Sequence, residues 1–136
     1  MEKPIQVTCA IIIKNNLVLA AQRSESMHLP LSWEFPGGKL EESESEEECL
    51  KREILEELDI EVDIQEKLAH YNHQYSGKKP IELIPFVCHF ASGKIFLKEH
   101  KRADWFTVEE LKQLDWAAAD IPVLDSFLEL FQNQLS

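Results

Sequence analysis

Hydrophobic and polar positions follow two periods along this chain, one typical of strands and one typical of helices. Residues 6–13 and 17–22 are apolar and rich in β-branched side chains, and they flank the polar segment Lys14-Asn15-Asn16. This arrangement predicts a β-hairpin whose two strands are both buried. The next stretch, residues 24–33, has little periodicity and contains Pro30, which predicts a loop.

The clearest helical pattern follows this loop. Its apolar residues recur at intervals of four and are Leu50, Ile54 and Leu58. They share one face of an amphipathic helix that we predict from about residue 44 to residue 58. Ser43 and Glu46 have the spacing of a capping box, so we expect them to mark the start of this helix.

The second half of the chain mixes extended and helical patterns. Residues 60–75 and 80–90 are predicted to be extended, with a turn at residues 76–79, and a shorter strand is predicted at residues 103–106. Thr107 and Glu110 have the spacing of a cap for a short helix. The chain therefore combines helices with hairpin-forming strands.

A last helix is predicted near the end of the chain. Asp120 precedes Pro122, which is typical of a helix start. The apolar residues that follow at helical spacing are Leu124, Phe127, Leu128 and Phe131. Neither repeats nor linkers interrupt the sequence, and its 136 residues fit one domain, predicted over residues 1–136.

The charge changes this picture because it is both large and local. The chain has 14 Lys and Arg against 25 Asp and Glu, a net charge of −11, which makes nucleic-acid polymers and anionic membranes poor partners. Residues 41–57 hold nine glutamates against Lys51 and Arg52. Such a run is typical of a solvated helix face, and it is also compatible with a site for divalent cations.

Cysteine usage and hydropathy bear on the compartment. The three cysteines are Cys9, Cys49 and Cys88, and their spacing predicts neither a disulfide framework nor a zinc site. The sequence begins without a basic segment followed by an apolar run, and no apolar stretch approaches the length of a membrane span. We therefore predict a soluble, cytoplasmic protein.

Three of the glutamates lie together on the predicted helix. Glu53, Glu56 and Glu57 fall on one stripe, apart from the apolar face. Like charges at these spacings repel by only a few tenths of a kcal/mol per pair. A surface helix tolerates that cost, so position alone does not distinguish a metal site from a solvated face.

The wider spacing is more informative. Residues 38–60 follow the pattern G-x5-E-x7-R-E-I-x-E-E-x-D-I. This resembles the Nudix box, GX5EX7REUXEEXGU with U a bulky aliphatic residue, at eight of its nine fixed positions. The departure is Asp59 in place of Gly, at a position where a permissive, left-handed backbone is expected. The resemblance implies the α+β Nudix fold, a mixed β-sheet sandwiched between α-helices.

The resemblance also implies a metal site and a catalytic set. Carboxylate and carbonyl oxygens suit Mg²⁺, with Mn²⁺ possible, and such a cation can neutralise phosphate charge and activate water. The implied ligands are Glu53, Glu56, Glu57 and the Gly38 carbonyl, and Glu99 is implied to be a further carboxylate ligand or the base. One glutamate would serve as the base, and Arg52 and Glu44 would orient the glutamates. The alternatives are surface salt bridges for these residues and a solvated loop position for Glu99.

The sequence flanking the box resembles MutT-type nucleoside triphosphate pyrophosphohydrolases. The matching segments are Trp33–Lys39, the predicted hairpin ending in Arg23, and Ala118–Pro122. This implies a nucleoside triphosphate substrate that is split into the monophosphate and pyrophosphate. By the same resemblance Arg23 contacts phosphate, and His28 and Phe35 line the nucleotide pocket. The alternatives are a surface arginine, an unliganded histidine and an ordinary core phenylalanine.

Asp120 has two interpretations. As an N-cap it would accept a hydrogen bond from a helix amide. By resemblance to MutT-type enzymes it would bind the base edge, where an ionised carboxylate accepts hydrogen bonds but cannot donate them. Guanine-type N–H groups and the cytosine amino group both satisfy such an acceptor. The implied substrate is therefore 8-oxo-dGTP or a related damaged deoxynucleotide, with CTP or modified dCTP as the alternative.

A function of another class remains open at this point. A non-catalytic Nudix domain could sense a nucleotide or bind a partner protein, but it would have no need of all three helix glutamates. A calcium-binding loop is disfavoured because its D-x-D-x-D-G spacing is missing. The sequence leaves open whether the protein is a monomer or a dimer.

Overall fold

The computed structural model of the protein describes residues 3–135, with side chains up to residue 131. The predicted domain of residues 1–136 extends beyond them at both ends and stays a prediction. The strands are β1 (Ile5–Lys14), β2 (Leu17–Gln22), β3 (Trp33–Glu34), β4 (Gly37–Lys39), β5 (Ile60–Lys67), β6 (Tyr71–His73), β7 (Ile81–Gly93) and β8 (Arg102–Phe106). The helices are α1 (Glu46–Leu58), α2 (Val108–Leu111) and α3 (Ile121–Leu135), and a 3-10 turn at Ala118–Asp120 precedes α3.

The strands form one mixed sheet. Its path runs β3-β2-β1-β7-β5, with β4 paired to β1, β6 to β7 and β8 to β2. β1 and β7 pair in parallel from Ile5 opposite Ile81 to Ile13 opposite His89, whereas the other pairings are antiparallel. The long β1 therefore lies at the centre, where both of its faces can be covered.

Alternate residues of β1 belong to two separate cores. Ile12 packs in a cluster with Ile54 of α1, whereas Ile11 packs in a cluster with Phe127 of α3. All four side chains are at most 1% exposed. Because successive strand residues point to opposite faces, α1 and α3 cover the two sides of the sheet. The predicted α+β arrangement, a mixed sheet between helices, is confirmed.

Most predicted elements are confirmed, with shifted boundaries. The hairpin of β1 and β2 turns at Asn15 and Asn16, whose φ values of 52° and 64° suit a tight turn. The single extended segment predicted at residues 60–75 is wrong in detail, because it is divided into β5 and β6. β7 continues to residue 93, beyond the predicted end at residue 90.

The predicted start of α1 is wrong by two residues. The N-cap is Ser45, whose side chain accepts from the Glu48 amide, and the Glu48 side chain accepts from the Ser45 amide in return. The pattern Ser-x-x-Glu occurs twice in this segment, so spacing alone could not choose between the two pairs. Ser43 instead has a φ of 71°, outside the extended region used by helix caps. Glu44 therefore lies before the helix rather than in it.

The helix ends as predicted at the residue that departs from the Nudix box. Asp59 has φ 59° and ψ 34°, the left-handed conformation, and its amide donates to the Leu55 carbonyl. An L-residue with a β-carbon is disfavoured in this conformation, although Asp is tolerated better than most. The permissive backbone position that the resemblance implied is therefore present.

Replacing Asp59 with Gly is expected to leave the free energy of unfolding unchanged or to raise it by up to about 1 kcal/mol. The reason is that glycine adopts the left-handed conformation without steric cost. Urea denaturation of the two proteins measures this difference. Clear destabilisation would contradict the expectation and would indicate a stabilising role for the Asp59 side chain.

Two further sequence predictions concern thiols and membranes. Cys9, Cys49 and Cys88 are all buried free thiols. None of the helices that the structure describes has both the length and the hydropathy needed to cross a membrane.

Candidate active site

Arg52 organises the acidic face of α1. Its guanidinium contacts both carboxylate oxygens of Glu44, at 2.8 and 3.0 Å, and lies 3.0 Å from Glu53 Oε1 and 3.3 Å from Glu56 Oε2. The bidentate pair with Arg52 lowers the pKa of Glu44 to about 2. The structure thus brings together the arginine and the glutamate for which an orienting role is predicted.

Gly38 lies directly against the carboxylate of Glu53. A β-carbon at Gly38 would be only 2.2 Å from Glu53 Cδ, so any larger residue would displace this side chain. The Gly38 carbonyl accepts a hydrogen bond of 3.3 Å from the Thr8 hydroxyl. Two of the predicted metal ligands, one on β4 and one on α1, are therefore neighbours in the fold.

The side chain of Glu57 is 22% exposed, close to the 16% of Glu53 and well below the 49% of Glu56. Its Oε2 atom is fully enclosed and has no hydrogen-bond partner among the described residues. Burial, and then the nearby carboxylates of Glu34, Glu53 and Glu99, raise the pKa of Glu57 to about 9. Glu99 is exposed, but it lies close enough to contribute to this effect.

These observations bear on whether a divalent cation fits here. An unpartnered buried carboxylate oxygen, surrounded by three other carboxylates, suits a hard cation in both donor type and charge. Across residues 3–135, however, no three Asp, Glu, His or Cys side chains are arranged to hold a metal ion as they stand. The chemistry of the donor set fits a divalent cation, and the individual ligand roles stay predictions.

Two residues at this site were missed in the sequence analysis. Glu34 bonds Arg23 through Oε1 at 2.8 Å and His100 through Oε2 at 2.7 Å. Burial raises the pKa of Glu34, but the hydrogen bonds to His100 and Arg23 and the charge of Arg23 outweigh burial and hold this pKa below its usual value. Two features of the sequence could have pointed to these residues: Glu34 lies within the segment that resembles MutT-type enzymes, and His100 directly follows Glu99.

A cavity of about 620 Å³ opens beside this acidic face. All four predicted substrate-binding residues line it, namely Arg23, His28, Phe35 and Asp120. Glu34 and Gly38 also line it, so the cavity extends from Asp120 to one predicted metal ligand, Gly38. The other four predicted ligands, Glu53, Glu56, Glu57 and Glu99, are not among its lining residues. Its volume is typical of small-molecule sites.

Asp120 lies inside this cavity and is 6% exposed. Its Oδ2 accepts a 2.8 Å hydrogen bond from the Phe35 amide, and no described amide of α3 donates to it. The N-cap interpretation is therefore wrong, because the carboxyl binds the amide of Phe35, the residue that follows β3, and not an amide of α3. Burial, and then the charge of Glu34, raise the pKa of Asp120 to about 8. A carboxyl with this pKa is largely neutral at pH 7 and can donate one hydrogen bond as well as accept.

Tyr75 is another cavity residue that the sequence analysis missed. Its hydroxyl accepts a hydrogen bond of 2.9 Å from the Ala119 amide, next to Asp120. Its ring packs edge-on against that of His28, with centroids 5.4 Å apart. The cavity thus has an aromatic wall near the buried carboxyl.

Comparisons with known proteins agree with this geometry. Residues 3–127 match the model of the NUDIX domain. The chain is 38% identical to the CTP pyrophosphohydrolase of Escherichia coli strain K12 over 94% of each protein. It is 32% identical to the putative 8-oxo-dGTP diphosphatase 2 of Mycobacterium tuberculosis, over 84% of this chain and 81% of that one.

A solved structure shows the same likeness in three dimensions. The solution structure of the DNA mismatch repair protein MutT of the Nudix hydrolase family, from methicillin-resistant Staphylococcus aureus 252, superimposes with a TM-score of 0.73. The two chains are 42% identical, over 92% of this chain and 95% of that one. The match to the NUDIX domain covers most of the chain, and the acidic helix beside a cavity agrees with it. The chain therefore belongs to the Nudix hydrolase family and resembles its MutT-like members.

Proposed function

We propose that the protein is a metal-dependent nucleoside triphosphate pyrophosphohydrolase whose substrates are 8-oxo-dGTP or related damaged deoxynucleotides. The observation that carries this proposal is the continuous cavity. It is lined by a buried carboxyl, Asp120, and by Gly38 beside the acidic face of α1. A nucleotide in this cavity would place its base at Asp120 and its phosphates near the helix glutamates.

The predicted cation ligands are the carboxylates of Glu53, Glu56, Glu57 and Glu99 and the Gly38 carbonyl. A bound Mg²⁺ or Mn²⁺ ion would neutralise charge on the phosphate oxygens and lower the pKa of water. Arg52 holds two of these carboxylates, those of Glu53 and Glu56, in place by ion pairs.

The reaction itself requires one water molecule and one base. The water oxygen bonds to phosphorus, the bond from that phosphorus to the bridging oxygen breaks, and one glutamate carboxylate takes the water proton. Arg23 lines the cavity, where we propose that it contacts the phosphates, and its guanidinium is paired with Glu34. The products are a nucleoside monophosphate and pyrophosphate.

Asp120 is proposed to select the base. It can accept from N–H groups, and in its neutral form it can also donate to a carbonyl oxygen or ring nitrogen. 8-Oxoguanine and cytosine both present such edges. Cytidine nucleotides are therefore the second candidate, favoured by the relative named CTP pyrophosphohydrolase.

A hydrolysis panel separates these candidates. Pyrophosphate release with Mg²⁺ is measured for 8-oxo-dGTP, dGTP, CTP and dCTP, and kcat/KM is compared. Preference for 8-oxo-dGTP over dGTP supports the first candidate, and preference for CTP or dCTP supports the second. If none of the four nucleotides is hydrolysed, the proposal is contradicted and a non-catalytic nucleotide-binding role is favoured.

By likeness to the relatives named 8-oxo-dGTP diphosphatase, we propose that the protein removes damaged nucleotides from the cytoplasmic nucleotide pool and so serves DNA replication and repair.

The requirement for a metal ion gives a prediction that holds whichever nucleobase the enzyme prefers. Mg²⁺ is expected to raise the Tm, because a cation that binds only the folded protein stabilises it and relieves repulsion among the glutamates. Exhaustive chelation is expected to abolish turnover, and re-addition of Mg²⁺ should restore it. Thermal denaturation and pyrophosphate release measure the two effects. Full activity after chelation would contradict the prediction.

A further inference from the structure

His100 is buried where three parts of the chain meet. It lies between β7 and β8, and its side chain is 4% exposed. The backbone is anchored on both sides, because the Lys98 amide donates to the Glu57 carbonyl and the Lys101 amide donates to the Gln22 carbonyl. The imidazole therefore has a fixed position against both α1 and β2.

The two ring nitrogens of His100 face two different carboxylates. Nε2 lies 2.7 Å from Glu34 Oε2, and Nδ1 lies 3.7 Å from Glu57 Oε2. Nδ1 and Glu57 Oε2 are the two buried side-chain atoms without a hydrogen-bond partner among the described residues. Since Glu34 also bonds Arg23, a row of side chains runs Arg23, Glu34, His100, Glu57 from the cavity wall to the acidic face of α1.

We infer that His100 is a positioning residue for the hydrolase reaction, which holds Glu34 against Arg23 on one side and orients Glu57 toward the cation on the other. This inference rests on the metal site of the proposed function. His100 is not among the residues that line the cavity, so it acts through the two carboxylates. Residues that orient metal ligands in this way affect metal affinity by about 10- to 100-fold when they are replaced.

Three substitutions separate the two contacts of His100. His100→Phe keeps an aromatic ring and removes both nitrogens. In His100→Gln the side-chain amide can reach the position of Nε2 and donate to Glu34. In His100→Asn the shorter side chain places its amide near the position of Nδ1, facing Glu57. The Gln and Asn variants keep a polar partner in the buried site, so they decide the question if the Phe variant does not fold.

The measurements are Mn²⁺ binding by titration calorimetry without nucleotide, and kcat and KM with nucleotide. His100→Phe is expected to weaken Mn²⁺ binding by about 10- to 100-fold and to lower kcat. His100→Gln should share the weaker Mn²⁺ binding but keep the KM, because Glu34 still fixes Arg23. His100→Asn should bind Mn²⁺ nearly as the wild type does and show a raised KM.

The control is His70→Phe, which removes a half-buried histidine paired with Glu82 at 3.3 Å on another part of the protein. It should leave Mn²⁺ affinity and kinetics unchanged. If the folded His100 variants lose only thermal stability and bind Mn²⁺ as the wild type does, the inference is overturned while the metal site stands. If the wild type itself does not bind Mn²⁺, the metal site and the inference fail together.

Discussion

Replacing Glu57 with Gln is expected to lower kcat by at least about 100-fold. The amide keeps the size of the side chain, but it cannot form the carboxylate that would hold a cation or take a proton. Because Glu57 Oε2 has no hydrogen-bond partner in the described structure, the substitution breaks no bond at that atom. The loss should therefore appear in turnover and in Mg²⁺-induced stabilisation rather than in folding. Steady-state kinetics at saturating Mg²⁺ and the Tm with and without Mg²⁺ measure these effects.

The matched control is Glu47→Gln in the first turn of the same helix. Glu47 is exposed and is not one of the glutamates paired with Arg52. The kcat of the Glu47→Gln variant should therefore remain close to that of the wild type. Glu56→Gln is expected to follow Glu57→Gln, with a loss of at least about 100-fold. Near-normal rates in both the Glu56 and the Glu57 variants would contradict the catalytic assignment and favour a nucleotide-sensing domain.

What the sequence could predict is what depends on local spacing. The buried positions of α1 follow from the apolar residues at intervals of four, and the acidic stripe follows from the same geometry. The left-handed end at Asp59 could be predicted because the Nudix box has Gly there. The start of α1 could not be fixed, because Ser43 and Ser45 offer the same capping spacing and only the backbone conformation distinguishes them.

What the sequence could not predict depends on contacts between distant segments. Glu34 and His100 are 66 residues apart, and their contact arises because β3 and the segment before β8 converge near the end of α1. Asp120 illustrates the same limit. Its place before a proline suggested an N-cap, whereas its hydrogen-bond donor is the Phe35 amide, 85 residues away in the sequence. A one-dimensional pattern identifies a helix end but not the partner that the folded chain brings to it.

Asp120→Asn is expected to raise KM by about 10-fold or more while changing kcat little. A base-recognition contact is made in both the ground state and the transition state, so its loss weakens binding without slowing the chemical step. The Asn side chain keeps an oxygen for the Phe35 amide, but its other end becomes an NH₂ group, which donates and cannot accept a hydrogen bond from an N–H group of the base. A mismatched buried polar contact costs about 1–3 kcal/mol, so discrimination among bases should shrink accordingly.

Asp120→Ala tests whether the same residue also stabilises the fold. It leaves the Phe35 amide without its buried partner, so we expect destabilisation of about 1–3 kcal/mol in addition to the loss of base discrimination. Measuring kcat/KM for 8-oxo-dGTP, dGTP, CTP and dCTP beside the Tm separates the two roles. If both variants keep the wild-type preference ratios and only Asp120→Ala is less stable, then Asp120 supports Phe35 and takes no part in selecting the base.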